Sequence, residues 1–357
     1  GAQPRGLVPQ SMESESRGAK PVRDGRFLHD LCLMRESFAH FDGAHRQGRG
    51  SRRDRISVRS HLTMKFGVHM KIIRRLSLIL LLFVICLGAF VYFFLRSQGM
   101  FREPEYDQDR PTDVKVKMPA VLVFDKTNGF IHKDAIPAAN EMLSQLAKKN
   151  GWSLYHTDNA AVHNADDLSK FQTVIWNNVS GDVLTEPQRQ ALKTYLSNGG
   201  GFVALHASGG DPKYAWDWYV KDLIKAQFKG HPLFPQKQSG TLVVDSPDDP
   251  IVAHLPSTWV MDDEWYSFDT SPRPGVEVLL SIDETSYSPK MAGTDISMGI
   301  DHPMIWKHCL GNGRAFYSAL GHYAETYRDV NYSRLVEQAI IWASGKNGAP
   351  CKASVAN

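Results

Sequence analysis

Short apolar runs alternate with segments of helical periodicity through the middle of the chain. The runs cover residues 121–124, 152–156, 173–176, 202–205 and 314–320. Runs of this length and composition are typical of buried strands. Because helix-like sequence separates them, the pattern predicts a doubly wound α/β domain with a mostly parallel sheet.

Helix signals lie between these runs. Asp134 is placed to cap the first helix, and Thr185 with Gln188 forms the capping-box motif of another. After residue 205 the pattern becomes less regular. The elements predicted there are a helix over 216–228, short strands over 241–244 and 276–282, and a final helix over 332–342.

A separate apolar stretch precedes this domain. Residues 76–95 contain no charged side chain, and at 1.5 Å per residue they can cross a bilayer core of roughly 30 Å. Basic residues precede the stretch and acidic residues follow it, so the positive-inside rule places the N-terminus in the cytoplasm. We expect a single-pass anchor in the inner (cytoplasmic) membrane, with the α/β domain in the periplasm or outside. The alternative is a signal peptide cleaved near residue 98, although such peptides usually have a shorter apolar region.

Charge is unevenly distributed along the chain. Residues 1–75 carry 16 Lys and Arg against 7 Asp and Glu, whereas the remaining residues carry 25 against 31. The positive charge therefore lies in an Arg-rich arm and the folded part is acidic, which argues against a nucleic-acid partner. The predicted organisation is a disordered basic arm (1–69), a signal anchor (70–98), a solvated stalk (99–118), the α/β domain (119–346) and a tail (347–357).

Two of the four cysteines lie in the exported part. Cys32 is in the arm and Cys86 is in the membrane stretch, which leaves Cys309 and Cys351. Two thiols in an oxidising compartment can pair. Spacing alone does not decide between a disulfide and two free thiols.

Two apolar runs end in a histidine. His206 follows residues 202–205, and His322 follows residues 314–320. The carboxyl ends of parallel strands line one crevice, so we expect both imidazoles to face the same site. Glu264, in an acidic stretch beside two aromatic residues, is the carboxylate expected to join them. The structural alternatives are a buried histidine bonded to backbone and a group of solvated acids.

Three further histidines and one serine are candidates for the same crevice. His132 follows the first strand and is expected to face it, whereas His231 and His302 each precede a proline and are interpreted as turn residues. Ser208 lacks the flanking glycines of a nucleophile elbow, which argues against a serine hydrolase. The sequence contains no phosphate loop, paired CxxC motif or dinucleotide fingerprint.

Several motifs together resemble the trehalose-utilisation (ThuA-like) family over residues 120–345. They are Gly199 to Gly201 with Leu205 and His206, Asp263 and Glu264 with Tyr266, His302 and Pro303 with Trp306, and Gly313 to Tyr317 with Gly321 and His322. The resemblance implies a flavodoxin-like sheet of the class I glutamine amidotransferase-like type. Amidotransferases of that fold have a cysteine after the glycine-rich elbow, but this chain has His206, so the chain is not expected to be a glutamine amidotransferase.

The resemblance also implies a sugar or an oxidised (keto) sugar as ligand, in glycoside utilisation. The leading hypothesis is a membrane-anchored, metal-dependent hydrolase, lyase or isomerase of a small carbohydrate. Its predicted site residues are His206, Glu264 and His322 for a divalent metal, with zinc favoured; His132, Asp263 and Glu264 for catalysis; and Trp265, Tyr266 and Arg314 for substrate binding. The alternative is a non-catalytic sugar-binding or interaction module of the same fold.

Overall fold

The computed structural model describes residues 52–111, 114–212, 214–345 and Cys351, with only the backbone path over 52–68. The chain divides into two compact units, residues 1–81 and 82–357, and the second contains the α/β domain. The predicted disordered arm lies outside the described residues up to residue 51. Residues 52–69 belong instead to the first helix, because they contain no proline and the helix of the apolar stretch continues through them.

The helices and strands follow in chain order. The helices are α1 (Arg52–Ser97), α2 (Ala135–Asn150), α3 (Ala165–Leu168), α4 (Glu186–Ser197), α5 (Ala324–Arg328) and α6 (Val330–Ala343). The strands are β1 (Ala120–Phe124), β2 (Ser153–Thr157), β3 (Thr173–Asn177), β4 (Gly201–Leu205), β5 (Phe228–Gly230), β6 (Gln238–Val244), β7 (Thr258–Asp263), β8 (Ser267–Phe268), β9 (Glu277–Asp283), β10 (Lys290–Met291), β11 (Thr294–Asp295), β12 (Pro303–Leu310) and β13 (Gly313–Ser318).

One apolar helix is long enough to cross a membrane. Within the described chain, the segment His69–Ser97 of α1 meets this requirement of length and composition, and none of the side chains in its most apolar stretch is buried. This helix contains the predicted apolar segment 76–95.

Nine strands form one sheet in the order β2-β1-β3-β4-β13-β12-β9-β6-β7. The strands from β2 to β13 pair in parallel, whereas the pairs from β13 to β7 are antiparallel. Because each antiparallel pair reverses direction, seven of the nine strands run the same way and only β12 and β6 oppose them. The mixed α/β domain with a mostly parallel central sheet is therefore confirmed. The first five strands follow the 2-1-3-4-5 order of flavodoxin-like sheets.

Four of the five strands in the parallel half are completely buried, and only the edge strand β2 is not. Every residue of β1, β3, β4 and β13 is buried, as expected for strands covered on both faces. The helices form two contacting groups, α2 with α5 and α6, and α3 with α4. Trp176 of β3 stacks on Tyr219 with ring centroids 5.0 Å apart.

The predicted elements agree best in this half, where each strand lies within two residues of its predicted position. Two strands of the antiparallel half, β7 and β12, were missed. The sequence of β12 includes Lys307 and His308, yet both are buried, and Lys307 pairs with Asp249. The predicted helix over 216–228 contains a short π-helical segment, Tyr219–Ile224, instead of regular α-helix.

The predicted stalk lies against the domain instead of standing free. The Asp107 carboxylate accepts hydrogen bonds from Lys126 Nζ at 2.8 Å and from Ala160 N at 2.9 Å. At the end of α1, Gln98 O accepts a hydrogen bond from Ile131 N at 2.9 Å. Charged residues that resemble a solvated linker in the sequence thus have partners on the folded surface.

The two cysteines that follow the apolar stretch are paired. Cys309 of β12 forms a disulfide with Cys351, and their Cα atoms are 5.5 Å apart. The bridge ties the C-terminal tail to the sheet, which decides between the two possibilities that sequence spacing leaves open.

Candidate metal-binding site

Four strands that run in the same direction each lead into one polar side chain at their carboxyl ends. His132 follows β1, His206 follows β4, Glu264 follows β7 and His322 follows β13. One ligand atom from each of these residues lies within 4.8 Å of the others. The site therefore forms at the carboxyl edge of the sheet, where open α/β sheets bind ligands.

Glu264 comes from the far end of the sheet. Four strands separate β4 from β7, so a flat sheet would place their ends about 24 Å apart at the usual strand spacing. Glu264 Oε2 nevertheless lies 3.4 Å from His206 Nε2 and 3.0 Å from His322 Nδ1. The antiparallel half must therefore curl back over the carboxyl edge of the parallel half.

His206 occupies a tight turn directly after β4. Its φ is +45°, an unfavourable region for a side chain of this size, and the turn needs Gly209 because a Cβ there would lie 2.5 Å from the Tyr317 ring. His206 Nδ1 donates to Ala319 O at 2.7 Å, which turns Nε2 toward the cluster. That nitrogen faces the cluster and lies 3.0 Å from the hydroxyl of Tyr266.

The Glu264 carboxylate is held through both of its oxygens. Oε1 contacts His231 Nδ1 at 3.0 Å and accepts a short hydrogen bond from Gln236 Nε2, whereas Oε2 faces His206 and His322. Burial by itself would raise the pKa of this carboxyl, but hydrogen bonds from the surrounding imidazoles hold the pKa well below its usual range. Glu264 is therefore an anionic ligand group inside a largely buried cluster.

His132 completes the cluster from the loop after β1. Its ring centroid lies 4.9 Å from that of His206 and 4.8 Å from that of His322. Burial, with the neighbouring imidazoles adding to it, lowers the pKa of His132 well below its usual value, so the ring is neutral. Its Nδ1 atom is buried and has no hydrogen-bond partner. An orphaned imidazole nitrogen beside two further imidazoles and a carboxylate is suited to a divalent cation.

Asp263 makes hydrogen bonds with the segment that carries His322. Its fully buried carboxylate accepts hydrogen bonds from Gly321 N at 2.8 Å, His322 N at 3.1 Å and Thr326 Oγ1 at 3.0 Å. Burial raises the pKa of this carboxyl. These contacts fix the backbone that carries His322, so Asp263 has a positioning role in the structure, and its predicted catalytic role stays a prediction.

Comparison with known proteins identifies the relatives of this fold and site. Residues 120–343 match the family described as ThuA: Trehalose utilisation. The chain belongs to the ThuA family.

Two solved structures are similar to this chain. A ThuA-like protein from Bacteroides uniformis ATCC 8492 is 27% identical, with a TM-score of 0.56, and the match covers 65% of this chain and 94% of that one. A ThuA-like protein from Parabacteroides merdae ATCC 43184 is 18% identical, with a TM-score of 0.47, over 66% of this chain and 93% of that one. No curated protein matched the sequence.

Two of the predicted substrate-binding residues lie elsewhere in this ThuA-family chain. Trp265 is fully buried, and its indole donates to Gln238 O at 3.1 Å, so it offers no face to a sugar. Arg314 lies at the amino end of β13, at the opposite edge of the sheet, and donates to Trp342 O at 2.7 Å. Tyr266 does contact the cluster, but from within the core, where it is 3% exposed.

The sequence interpretation missed the contribution of the loop after β5. His231, interpreted as a turn residue, contacts Glu264, and Gln236 Nε2 lies 3.4 Å from His322 Nε2. Burial lowers the pKa of His231, but the hydrogen bond with Glu264 outweighs this effect and raises it. A His-Pro pair resembles a turn in any sequence, and no local signal indicates a contact with a residue 33 positions away.

Two other residues have structural roles. His302 is fully buried, with Nδ1 2.7 Å from Glu284 Oε1 and Nε2 2.7 Å from Tyr266 O. Ser208 Oγ donates to Trp176 O at 2.9 Å and accepts from Val179 N at 3.1 Å. Its hydroxyl is thereby committed to backbone partners, in line with the argument against a serine nucleophile.

Proposed function

We propose that this ThuA-family protein is a membrane-anchored, metal-dependent enzyme that acts on a small carbohydrate or an oxidised (keto) sugar. Membership of the family associates the chain with trehalose utilisation. The observation that carries the enzymatic part of the proposal is the convergence of three imidazoles and one carboxylate within 4.8 Å, including the unpartnered Nδ1 of His132.

The donor set favours zinc over calcium or magnesium. Zinc takes imidazole nitrogen and carboxylate oxygen in small coordination shells, whereas calcium and magnesium prefer oxygen alone. His132, His206, Glu264 and His322 would hold the ion. When bound, a divalent cation supplies Lewis acidity that polarises a sugar carbonyl or hydroxyl oxygen.

The protein groups around the donors have complementary tasks. His206 is held in one tautomer by its bond to Ala319 O, and Glu264 is held by His231 and Gln236. Such outer contacts orient ligands and tune their basicity. His132 stays neutral, so it can act as a ligand through its unpartnered Nδ1. His322 is the most exposed of the four donors.

Two observations support a location outside the cytoplasm. The segment His69–Ser97 has the length and composition of a membrane span, and the Cys309–Cys351 disulfide is typical of an oxidising compartment. The proposed topology is a single pass in the inner membrane with the N-terminus in the cytoplasm. Thiol labelling of intact cells should leave both cysteines unmodified until a reductant is added.

Metal analysis of the full chain in detergent tests the metal site. After treatment with a chelator, the wild type should take up about one equivalent of Zn²⁺ per chain. The variant carrying His206→Ala and His322→Ala should take up none. His254→Ala is the matched control, because this histidine bonds Asn331 O outside the cluster, and it should bind metal normally. Wild-type protein that takes up no divalent metal would refute the metal site.

A turnover assay beside calorimetric binding separates the enzyme from a non-catalytic sugar-binding module. An enzyme should convert trehalose, glucose or one of their keto derivatives, and the double histidine variant should lose this activity while keeping its fold. A binding module should bind one of these sugars with no turnover, and binding should survive loss of any single cluster residue.

A further inference from the structure

Phe234 is an exposed aromatic side chain on the loop that contacts the metal-binding cluster. Its side chain is 89% exposed, which is unusual for a phenylalanine on a folded surface. Its φ is +61°, a conformation that bulky side chains rarely adopt. Backbone in such a region persists only where its surroundings enforce it, and such positions are concentrated at ligand sites.

Contacts on both sides of Phe234 hold the loop against the site. Leu233 N donates to Lys290 O at 3.1 Å, and Gln238 Nε2 donates to Pro235 O at 3.1 Å. Within the same loop, His231 and Gln236 contact Glu264. The exposed ring is therefore displayed by a fixed loop.

Two other partly exposed aromatic residues stand next to cluster histidines. The Phe130 ring, 40% exposed, lies 4.9 Å from the His132 ring, and the Tyr323 ring lies 4.6 Å from the His322 ring. Lys237 Nζ lies 4.7 Å from the centre of the Tyr323 ring, so the end of the Phe234 loop reaches Tyr323.

We propose that Phe130, Phe234 and Tyr323, hereafter the aromatic rim, bind the apolar face of a second sugar ring beside the ring that occupies the metal-binding cluster. This inference rests on the proposed function and extends it: the ligand is a disaccharide or another glycoside with a cyclic second group, and a monosaccharide fills only part of the site. Aromatic faces suit this task because they offer a large, rigid apolar surface at a site entrance. The rim also supplies the exposed apolar face that buried Trp265 does not provide.

The test compares trehalose with glucose, and their keto derivatives with each other, on the full chain loaded with Zn²⁺. Phe234→Ala and Tyr323→Ala should each weaken disaccharide binding about tenfold and raise KM with little change in kcat. Binding of the monosaccharide and the zinc content should stay at wild-type levels. Phe234→Trp should restore disaccharide binding.

Ile300→Ala is the matched control, because Ile300 is fully exposed but lies on a different loop; it should leave all four measurements unchanged. Wild-type protein that binds metal and sugar but does not prefer the disaccharide would overturn the aromatic rim and leave the proposed function intact. Loss of zinc in Phe234→Ala would also overturn it, because the loop would then act through Glu264. Wild-type protein that binds neither metal nor sugar would refute the proposed function itself.

Discussion

The parallel half of the sheet, from β2 to β13, and its antiparallel extension, from β12 to β7, supply different atoms to the same cluster. All three imidazoles follow strands of the parallel half, whereas the carboxylate follows β7, at the outer edge of the extension. The loop with His231, Gln236 and Phe234 also belongs to the extension side, directly after β5.

The comparison shows two ways of placing a functional side chain. The parallel half places histidines by regular geometry, because the ends of adjacent strands fall at one edge. The extension places Glu264 by curling back and by long-range side-chain contacts, so its geometry depends on residues distant in sequence. Regular strand geometry thus places the three imidazoles, and the irregular extension provides the carboxylate.

The largest expected effect comes from substituting the cluster residues, one from each half of the sheet. Glu264→Gln and His206→Ala should each lower kcat/KM by about 10³-fold, because each removes a ligand from one shared site. The double variant should be little worse than either single variant, since residues that act as a unit are not additive. Additive losses in kcat/KM, with metal content measured alongside, would mean that the two halves act independently.

Loss of the disulfide should have the next largest effect, on the free energy of unfolding. The Cys309–Cys351 bridge joins residues 42 positions apart and encloses β13, His322, α5 and α6. Closing a loop of this length stabilises the fold by about 4 kcal/mol in the chain-entropy account. Cys351→Ser should therefore lower the free energy of unfolding in urea by an amount of this order. Cys86→Ser removes an exposed free thiol and should leave that free energy unchanged; equal behaviour of the two variants would contradict the prediction.

A buried histidine in the parallel half should make stability depend on pH. His163 donates from Nδ1 to Ala160 O and accepts at Nε2 from Trp176 Nε1 at 3.1 Å, so both nitrogens are satisfied in the neutral form. Burial lowers the pKa of His163 to about 4. Between pH 6.5 and 4 the unfolded chain takes up a proton that the folded chain does not, so this histidine stabilises the fold above pH 6.5 and its contribution is lost as pH falls to about 4.

The full contribution of His163 is about 3 kcal/mol, from the size of this pKa shift. In His163→Gln, urea unfolding free energies should therefore fall less between pH 7 and 4 than in the wild type. His156→Gln is an informative control, because a hydrogen bond to Asp125 raises the pKa of the half-exposed His156. Its effect on the slope should have the opposite sign and be smaller; an unaltered slope in His163→Gln would disprove the assignment.

The smallest expected effect concerns α4, which contacts α3 and β13. Thr185 N donates to Gln188 Oε1 at 2.8 Å, and Gln188 Nε2 donates to Asp107 O at 2.7 Å. Gln188→Ala should lower the free energy of unfolding by about 1 kcal/mol. Zinc content and kcat should not change. Gln190→Ala, on the exposed side of the same helix, should leave all three quantities unchanged. A loss of zinc in either variant would contradict the conclusion that α4 stabilises the fold without affecting the cluster.

Much of the parallel half could be predicted from sequence because β1, β3, β4 and β13 are buried on both faces and appear as short apolar runs. The same regularity made His206, His322 and His132 visible as strand-end residues. Glu264 could be chosen from its acidic neighbours, since carboxylates near imidazoles are typical of metal sites. The capping box of α4 was likewise predicted, because its signal is local.

The antiparallel extension was less predictable because its determinants are not local. Buried Lys307 and His308 conceal β12, and the contacts of His231 and Gln236 depend on how the sheet curls. Trp265 follows Glu264 directly in the sequence and was therefore predicted to line the site, but its side chain is buried in the core. Side-chain direction after a strand ends depends on tertiary packing, which composition does not reveal.

The hydrogen bond from Ile131 N to Gln98 O has a practical consequence for work on a water-soluble fragment. It joins the loop of His132 to residues that belong by sequence to the anchor. A fragment that begins after residue 101 discards this support next to His132, whereas one that begins at Ser97 retains it. The cut site therefore decides whether a fragment keeps the loop of this proposed zinc ligand as the full chain has it.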